Sequence, residues 1–479
     1  MEIARLLFPA IRWDPASQFD GEGARVDQAL AQGVGGFIFF GGTVDAVREL
    51  TTDLRMRSDR PLLFGSDLER GAGQQFEGAT QLPPLAALGW LGDPEISRRA
   101  GHITGSEAVS LGVHWIYAPV ADVDLEPRNP IVGTRSFGTD PAAVAEHVAA
   151  WIEGCRAAGA LACAKHFPGH GRTTTDSHIE LPRVSVDRQT LEDDLLPFRR
   201  AIQAGVDSVM TAHVRFDALD PSGAPATLSR SIVDDLLRRE LRFDGVVVTD
   251  AMIMEGVLEG GAGEGVAAVH ALAAGCDALL YPADPAGVAE YIAHALGADL
   301  DPGRVDEALR RVERAAGRTG EPIRVEHDWQ DAADWALEIA VRTVHPVRGR
   351  PALAARALDL LTVDDDVGGP YPPGPRDTFP AGLRAGREIR EVRVADAARP
   401  LVIAVYADIR AWKGRPGVSP AAVRRVRDAL LLRPDATIVL FGHPRLASDL
   451  PGENILAAWG GDRIMQRAAA SWLLARSTT

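Results

Sequence analysis

The sequence predicts an α/β protein, an N-terminal (β/α)8 TIM-type barrel followed by a smaller α/β domain. One unit recurs along the chain. ALAQGVGGFIFF (29–40), CRAAGALACAKHF (155–167), AIQAGVDSVMTAH (201–213) and ALAAGCDALLYPA (271–283) each run a helical apolar stretch into glycine and then into a short β-rich run. Glycine suits the helix C-cap because it adopts left-handed dihedrals without a Cβ clash. The run that follows is apolar on both faces, the pattern of a parallel strand buried on both sides.

Taken in order, the candidate strands are ARLLF (4–8), GFIFF (36–40), LLFGS (62–66), HWIYAP (114–119), LACAKH (161–166), SVMTAH (208–213), GVVVTD (245–250) and DALLY (277–281). Helical patterns such as EHVAAWIEGCRAAG (146–159) separate them. Eight alternating units point to a barrel of roughly 250–340 residues. A doubly wound open sheet shares this periodicity and stays open as the alternative. After about residue 335 the texture changes. Residues 364–386 (DDDVGGPYPPGPRDTFPAGLRAG) are rich in Pro, Gly and Asp and read as a long loop. Strand-like ALDLLTV (357–363), PLVIAVYAD (400–408), ATIVLFGHP (436–444) and ENILAAWG (453–460) lie around it. Helical AAVRRVRDALLLR (421–433) and DRIMQRAAASWLLAR (462–476) alternate with them. The expected domains are 1–335 for the barrel and 336–479 for the second α/β domain.

Composition narrows the function classes. The chain has 51 basic and 66 acidic side chains and a net charge of −15. Such a surface repels phosphate backbones, so neither nucleic acid nor an anionic membrane is an expected partner. Cys155, Cys163 and Cys276 form no CxxC pair and read as small buried hydrophobes in a reducing compartment. The N-terminal MEIARLLFPAIRWD lacks a positive leading region and is broken by Pro9 and Arg12, so it is a poor signal peptide. No apolar run nears the ~18 residues that span a bilayer. A cytoplasmic location is expected, as a monomer or homodimer.

In an eightfold barrel, chemistry sits at the C-terminal ends of the strands. Here the third strand ends in Ser66-Asp67-Leu68-Glu69, and the fourth runs into Asp122, Asn129 and Arg135. The fifth ends in Lys165-His166, the sixth in His213 and the seventh in Asp250. Ionisable groups beside buried strands are costly unless paired or used. Five strands ending this way point to a site for a polar ligand rich in hydroxyls. Each residue also has a structural reading. Asp122 and Glu69 suit helix caps or ion pairs, Arg135 a surface loop, and His213 a satisfied core position. Asp250 resists that reading most, because it follows the wholly apolar GVVVT. His102, His114, His147 and His270 read as structural.

KHFPGHGRTTTDSH (165–178) is the densest polar stretch. His166 and His170 have the i, i+4 spacing of a metal pair, but Pro168-Gly169 between them deny the helix that such a pair needs. Lys165 as a Schiff-base nucleophile needs a desolvated amine, whereas its neighbours suggest a wet, hydrogen-bonding site. The third reading is a catalytic Asp–His pair. Asp176 and His178 are i and i+2, on one side of an extended loop. The carboxylate holds the imidazole tautomer and stabilises its cation, and the imidazole can give and take a proton near neutrality. Asp250 on its rigid strand supplies a carboxylate nucleophile. A proton donor opposite a carboxylate is the layout of a retaining glycosidase, with His replacing the usual carboxylic acid.

These motifs resemble glycoside hydrolase family 3, in its β-N-acetylglucosaminidase branch that includes peptidoglycan-recycling enzymes. The residues that carry the resemblance are AKHFPGHGRTTTDSHIELP (164–182), APVADVDLEPRNPIVGTRSFG (118–138), ATQLPPLAALG (79–89) and the block from VMTAHVRF to LRFDGVVVTDAMIM (209–254). Together they cover roughly residues 1–330. The resemblance implies Asp250 as nucleophile, His178 as acid/base and Asp176 as its partner. It implies Asp67, Arg135, Lys165 and His166 as contacts to sugar hydroxyls, and His213 is expected beside them. It implies no metal and no organic cofactor, and a small oligosaccharide or muropeptide-like glycan as substrate.

One departure stands out. Relatives often read DxEGGRVQRF after the third strand, and this chain reads DLERGAGQQF (67–76). Ala72 and Gln75 stand where arginines are common, with Arg70 nearby as a candidate substitute. A phosphorylase of the same fold is the rival activity: a neutral His repels incoming phosphate less than a carboxylate does, and Arg172 is a candidate anion site. A β-glucosidase or xylosidase, and a non-catalytic sugar-binding barrel, are the remaining alternatives.

Overall fold

A computed structural model describes residues 2–258, 263–319, 329–367, 373–409 and 413–476. The chain divides into two compact units. The first comprises residues 1–80, 93–126 and 136–329, and the second residues 81–92, 127–135 and 330–479.

In the first unit, Ala10–Arg12, Gly36–Phe40, Leu63–Ser66, Trp115–Ile116, Leu161–Phe167, Ser208–Thr211 and Val246–Thr249 pair side by side in chain order, all parallel. The eighth strand, Leu279–Leu280, pairs in parallel with Leu7–Phe8, and Ala278 just before it bridges to Val248 of the seventh. Leu7–Phe8 and Ala10–Arg12 are two parts of one extended run interrupted at Pro9, which has no N–H to give a ladder. The ring is therefore closed, a TIM-type barrel, and closure removes the open-sheet alternative. The first strand begins later than ARLLF (4–8) suggests. Ile3–Leu6 is a 3-10 turn, because Ile3 and Leu6 at i, i+3 bury one eclipsed face.

Parallel register breaks at one place that matters. Lys165 pairs with Met210 and Phe167 with Thr211, so His166 is an extra residue in the fifth strand. Such a bulge bends a strand locally and re-aims its side chains. The strand is buried along its full length, so two polar side chains in succession end inside the barrel mouth.

The second unit holds a six-stranded sheet. Its spatial order is His345–Arg348, Asn454–Ala457, Thr437–Phe441, Leu401–Tyr406, Ala357–Asp364, Glu388–Val392. All pairs are parallel except the first. The expected strands and the helices Pro420–Leu432 and Arg463–Arg476 are present. The expected long loop at 364–386 is not wholly irregular. Thr378–Arg384 is a helix that buries Phe379, Pro380 and Leu383, and burial of that small face overrides the Pro/Gly-rich composition. Residues 368–372 of that stretch lie outside the described residues. Glu388–Val392, read from sequence as no element, is an edge strand whose alternating charges blunt further pairing.

All three cysteines are free and buried, and burial pushes the Cys163 and Cys276 thiols up to about 12. Among the described residues, no helix is long and apolar enough to cross a membrane.

Candidate active site

The polar strand ends of the barrel form two connected clusters. In the first, the Lys165 ammonium lies 2.6 Å from Asp67 Oδ1 and 2.8 Å from Glu69 Oε1. Lys165 is 2% exposed and Glu69 5%, so that pair is shielded from water, whereas the Asp67 side chain stays 30% exposed; the buried ammonium needs its partners to hold the charge. An ammonium clasped by two carboxylates is not the desolvated amine that Schiff-base chemistry requires.

The second cluster is organised by Asp122. One carboxylate oxygen accepts from the His166 ring Nδ1 at 2.7 Å. The other accepts from the backbone N–H of His166 at 3.1 Å and of His170 at 2.7 Å. Burial opposes the charge on Asp122, but these partners outweigh it and its pKa is lowered. Asp122 therefore fixes the His166 ring and, at the same time, the start of the loop that leaves the fifth strand. The sequence leaves both a structural ion pair and a function open for this residue. The geometry makes it the anchor of its neighbours.

The loop 170–178 is held at three further points. His170 bonds Thr173 Oγ1 through Nδ1 at 2.8 Å and Ser177 Oγ through Nε2 at 3.0 Å. Arg172 Nε donates to Asp194 Oδ2 at 2.6 Å, and its Nη2 donates to the Thr190 carbonyl at 3.2 Å. Gly256 N–H donates to the Ser177 carbonyl at 3.3 Å. The loop presents Asp176 and His178. Asp176 Oδ1 accepts from the His178 backbone N–H at 2.9 Å and from its ring Nδ1 at 2.7 Å. That leaves Nε2 on the far side of the ring. The Asp176 side chain is 1% exposed and that of His178 is 18% exposed, so the pair has a dry anchor and a wetter tip.

Asp250 follows the seventh strand, and its Oδ1 accepts from the Ala251 N–H at 2.7 Å. Burial again opposes charge, but the imidazoles of His166, His213 and His178 and the Ala251 N–H lower its pKa well below the usual carboxylate range. Three histidines from three different strand ends or loops thus act electrostatically on one carboxylate.

His213 differs from the expectation that it contacts sugar. Its Nε2 donates to the Ala251 carbonyl at 3.2 Å, its Nδ1 bonds Thr227 Oγ1 at 2.8 Å, and it has no accessible surface. Both ring nitrogens are spent on protein, so the core reading prevails and His213 braces the residue after Asp250. Burial lowers its pKa, against the pull of Asp250. Arg135 lies on the turn Gly133–Arg135 and donates to the Ile131 carbonyl at 3.3 Å. Asn129 caps that turn by accepting from Ile131 and Val132 N–H. The turn groups with the second unit.

The rings of His166 and His170 stand 6.0 Å apart and nearly perpendicular, with His166 Nδ1 on Asp122 and both His170 nitrogens on the hydroxyls of Thr173 and Ser177. Among the described residues, no three His, Cys, Asp or Glu side chains converge in a way that holds a metal ion. Arg172, the candidate anion site, gives its Nε to Asp194 and its Nη2 to the Thr190 carbonyl. Ala72 is fully buried, and Gln75 Oε1 accepts from Gly41 N–H at 3.1 Å, so neither position carries a cation. His114 and His147 serve the interior as expected, bonded to Gly112 and Ser97. The bracing residues Asp194, Thr227 and Gly256 gave no signal in sequence.

Comparison with known proteins bears on the family and the fold. The model of the glycosyl hydrolase family 3 N-terminal domain matches residues 19–315. A β-hexosaminidase of Chromobacterium violaceum is 37% identical over 326 residues, 65% of this chain and 85% of that one. A solved family 3 β-N-acetylglucosaminidase from Paenibacillus sp. str. FPU-7 superposes with a TM-score of 0.86 at 27% identity, covering 100% of this chain and 97% of that one. A β-glucoside phosphorylase superposes with a TM-score of 0.85 at 20% identity, covering 100% and 92%, a likeness of fold alone.

Proposed function

Because this chain belongs to glycosyl hydrolase family 3 and is a glycosidase, we propose that it removes non-reducing terminal β-linked N-acetylglucosamine with retention of configuration. Asp250 attacks the anomeric carbon while His178 Nε2 protonates the leaving oxygen. His178 then deprotonates a water that releases the sugar from the glycosyl-aspartate. Asp176 keeps the proton on Nδ1 and stabilises the imidazolium as it forms. Lys165, Asp67 and His166 hold sugar hydroxyls. Arg135 is assigned the same task on the family resemblance alone. The substrate we favour is a muropeptide-like fragment met in the cytoplasm.

The observation that supports this reading best is the pairing of an ionised Asp250 with an Asp176–His178 couple at one barrel mouth. A nucleophile must start ionised, and a carboxylate of lowered pKa is also a good leaving group in the second step. Hydrolysis is favoured over phosphorolysis because Arg172 is already committed to Asp194. Aryl β-glycosides with and without the acetamido group, run in phosphate and in a phosphate-free buffer, test the whole assignment. Free N-acetylglucosamine of retained anomeric configuration is expected in both buffers, and Asp250→Asn should abolish turnover. Sugar 1-phosphate as product, or undiminished turnover by Asp250→Asn, would overturn it.

A further inference from the structure

We propose that His170 is a positioning residue for the acid/base pair, holding Ser177 so that the two residues flanking it, Asp176 and His178, are presented in one geometry. The inference rests on the role assigned to His178 above. His170 and Ser177 are each 1% exposed. The His170 ring spans from the root of the loop to its working end, with Thr173 Oγ1 on Nδ1 and Ser177 Oγ on Nε2.

The direction of these bonds follows from proton counting. The Thr173 hydroxyl also bonds the His170 carbonyl at 3.1 Å, where only donation is possible. Its single proton is spent there, so His170 Nδ1–H donates to Thr173 and Nε2 accepts from the Ser177 hydroxyl. This arrangement needs a neutral ring. Burial supplies it, pushing the imidazole pKa down to about 4.

The root is itself immobilised, because the His170 N–H donates to Asp122 at 2.7 Å. On its other side, the Ser177 carbonyl meets the Gly256 N–H. A Cβ on Gly256 would come within 2.9 Å of that carbonyl oxygen and 3.1 Å of His213 Cβ. Ser177 is thus clamped by its side chain toward the fifth strand and by its carbonyl toward the segment after Asp250. Proton transfer in a glycosidase depends on sub-ångström placement of the donor, and the clamped residue lies between the proton donor and its carboxylate partner.

The test uses Ser177→Ala, His170→Leu and His170→Gln, assayed on aryl β-N-acetylglucosaminides of graded leaving-group acidity, with His178→Ala as reference. Ser177→Ala and His170→Leu are expected to lower kcat/KM, which reports the glycosylation step, on the order of tenfold with a phenyl leaving group. With dinitrophenyl, which needs little protonation, they should lower kcat/KM less than about twofold, while kcat falls with the slowed hydrolysis of the glycosyl-enzyme. Gln places a polar atom near the Nε2 position, so His170→Gln should recover most of the loss. Should His170→Leu fail to fold, Ser177→Ala carries the comparison, with thermal melting run on every variant. Equal losses on all leaving groups, or no loss in Ser177→Ala, overturn the inference. If His178→Ala itself shows no leaving-group dependence, the underlying assignment fails instead.

Discussion

Replacing Asp176 with Asn isolates what the carboxylate gives to the proposed catalysis. Asp176 Oδ1 receives two N–H groups of His178, at 2.9 and 2.7 Å, from a side chain with 1% exposure. Asn keeps the size of the side chain and one accepting oxygen, so the loop can stay in place. It removes the negative charge beside the ring. A hydrogen bond to a charged partner contributes about 1.5–3 kcal/mol against about 1 kcal/mol for a neutral one. In the proposed mechanism the electrostatic part strengthens only as the imidazole becomes cationic, which happens before protonation of the leaving oxygen and again in deglycosylation. A loss of roughly 1–2 kcal/mol corresponds to a fall of about 5- to 30-fold in rate. The assay is steady-state and pre-steady-state turnover of aryl β-N-acetylglucosaminides. The release of dinitrophenol should stay fast as an initial burst, while the later hydrolysis of the glycosyl-enzyme slows by that factor, because water activation still needs the base. Azide, a nucleophile that needs no base, should restore turnover. A uniform loss that azide does not relieve, or one that follows the melting temperature, would refute the electrostatic role of Asp176.

Two further outcomes follow from burial and charge. Burial pushes the Asp194 carboxyl up to about 6, against the pull of Arg172, so the folded state binds a proton there more tightly than the unfolded chain. Stability from this group is greatest in acid and falls as pH rises from about 4 through 6. Urea unfolding of Asp194→Asn against wild type should therefore favour the variant increasingly over that window, by up to about 3 kcal/mol, and a pH-independent difference would contradict it. Lys165→Met leaves Asp67 and Glu69 without their shared cation and should cost about 3–5 kcal/mol. Adding Glu69→Gln should return part of that loss, and a double variant no more stable than the single one would show that pairing is not the cause.

The barrel was legible because its signal is repeated. Helix, glycine and apolar strand recur, and a closed ring satisfies every strand edge that the pattern produces. The second unit was legible where strands are wholly apolar, as at Leu401–Tyr406, and missed where an edge strand is charged, as at Glu388–Val392. In the site, residues at strand ends were found because an ionisable group after an apolar run stands out. Asp122 and Glu69 were seen but not resolved, since a spacing in sequence does not say which cation or ring a carboxylate meets. His213 was misplaced for the same reason: a strand-end position does not reveal that Thr227, fourteen residues on, and Ala251 consume both nitrogens. Gly256 and Asp194 were invisible, because a close approach or a loop tether is defined only by what arrives from elsewhere in the chain.

The Asp–His couple looks in sequence like a cassette of three residues that any barrel of this type could receive. The fold argues otherwise for anyone transplanting it. Grafted alone, DSH would arrive without the carboxylate of Asp122 that seats the start of its loop, the Asp194 that takes up Arg172, or the bare backbone at Gly256 that leaves room for the Ser177 carbonyl. A recipient scaffold would have to supply these distant positions together with the loop.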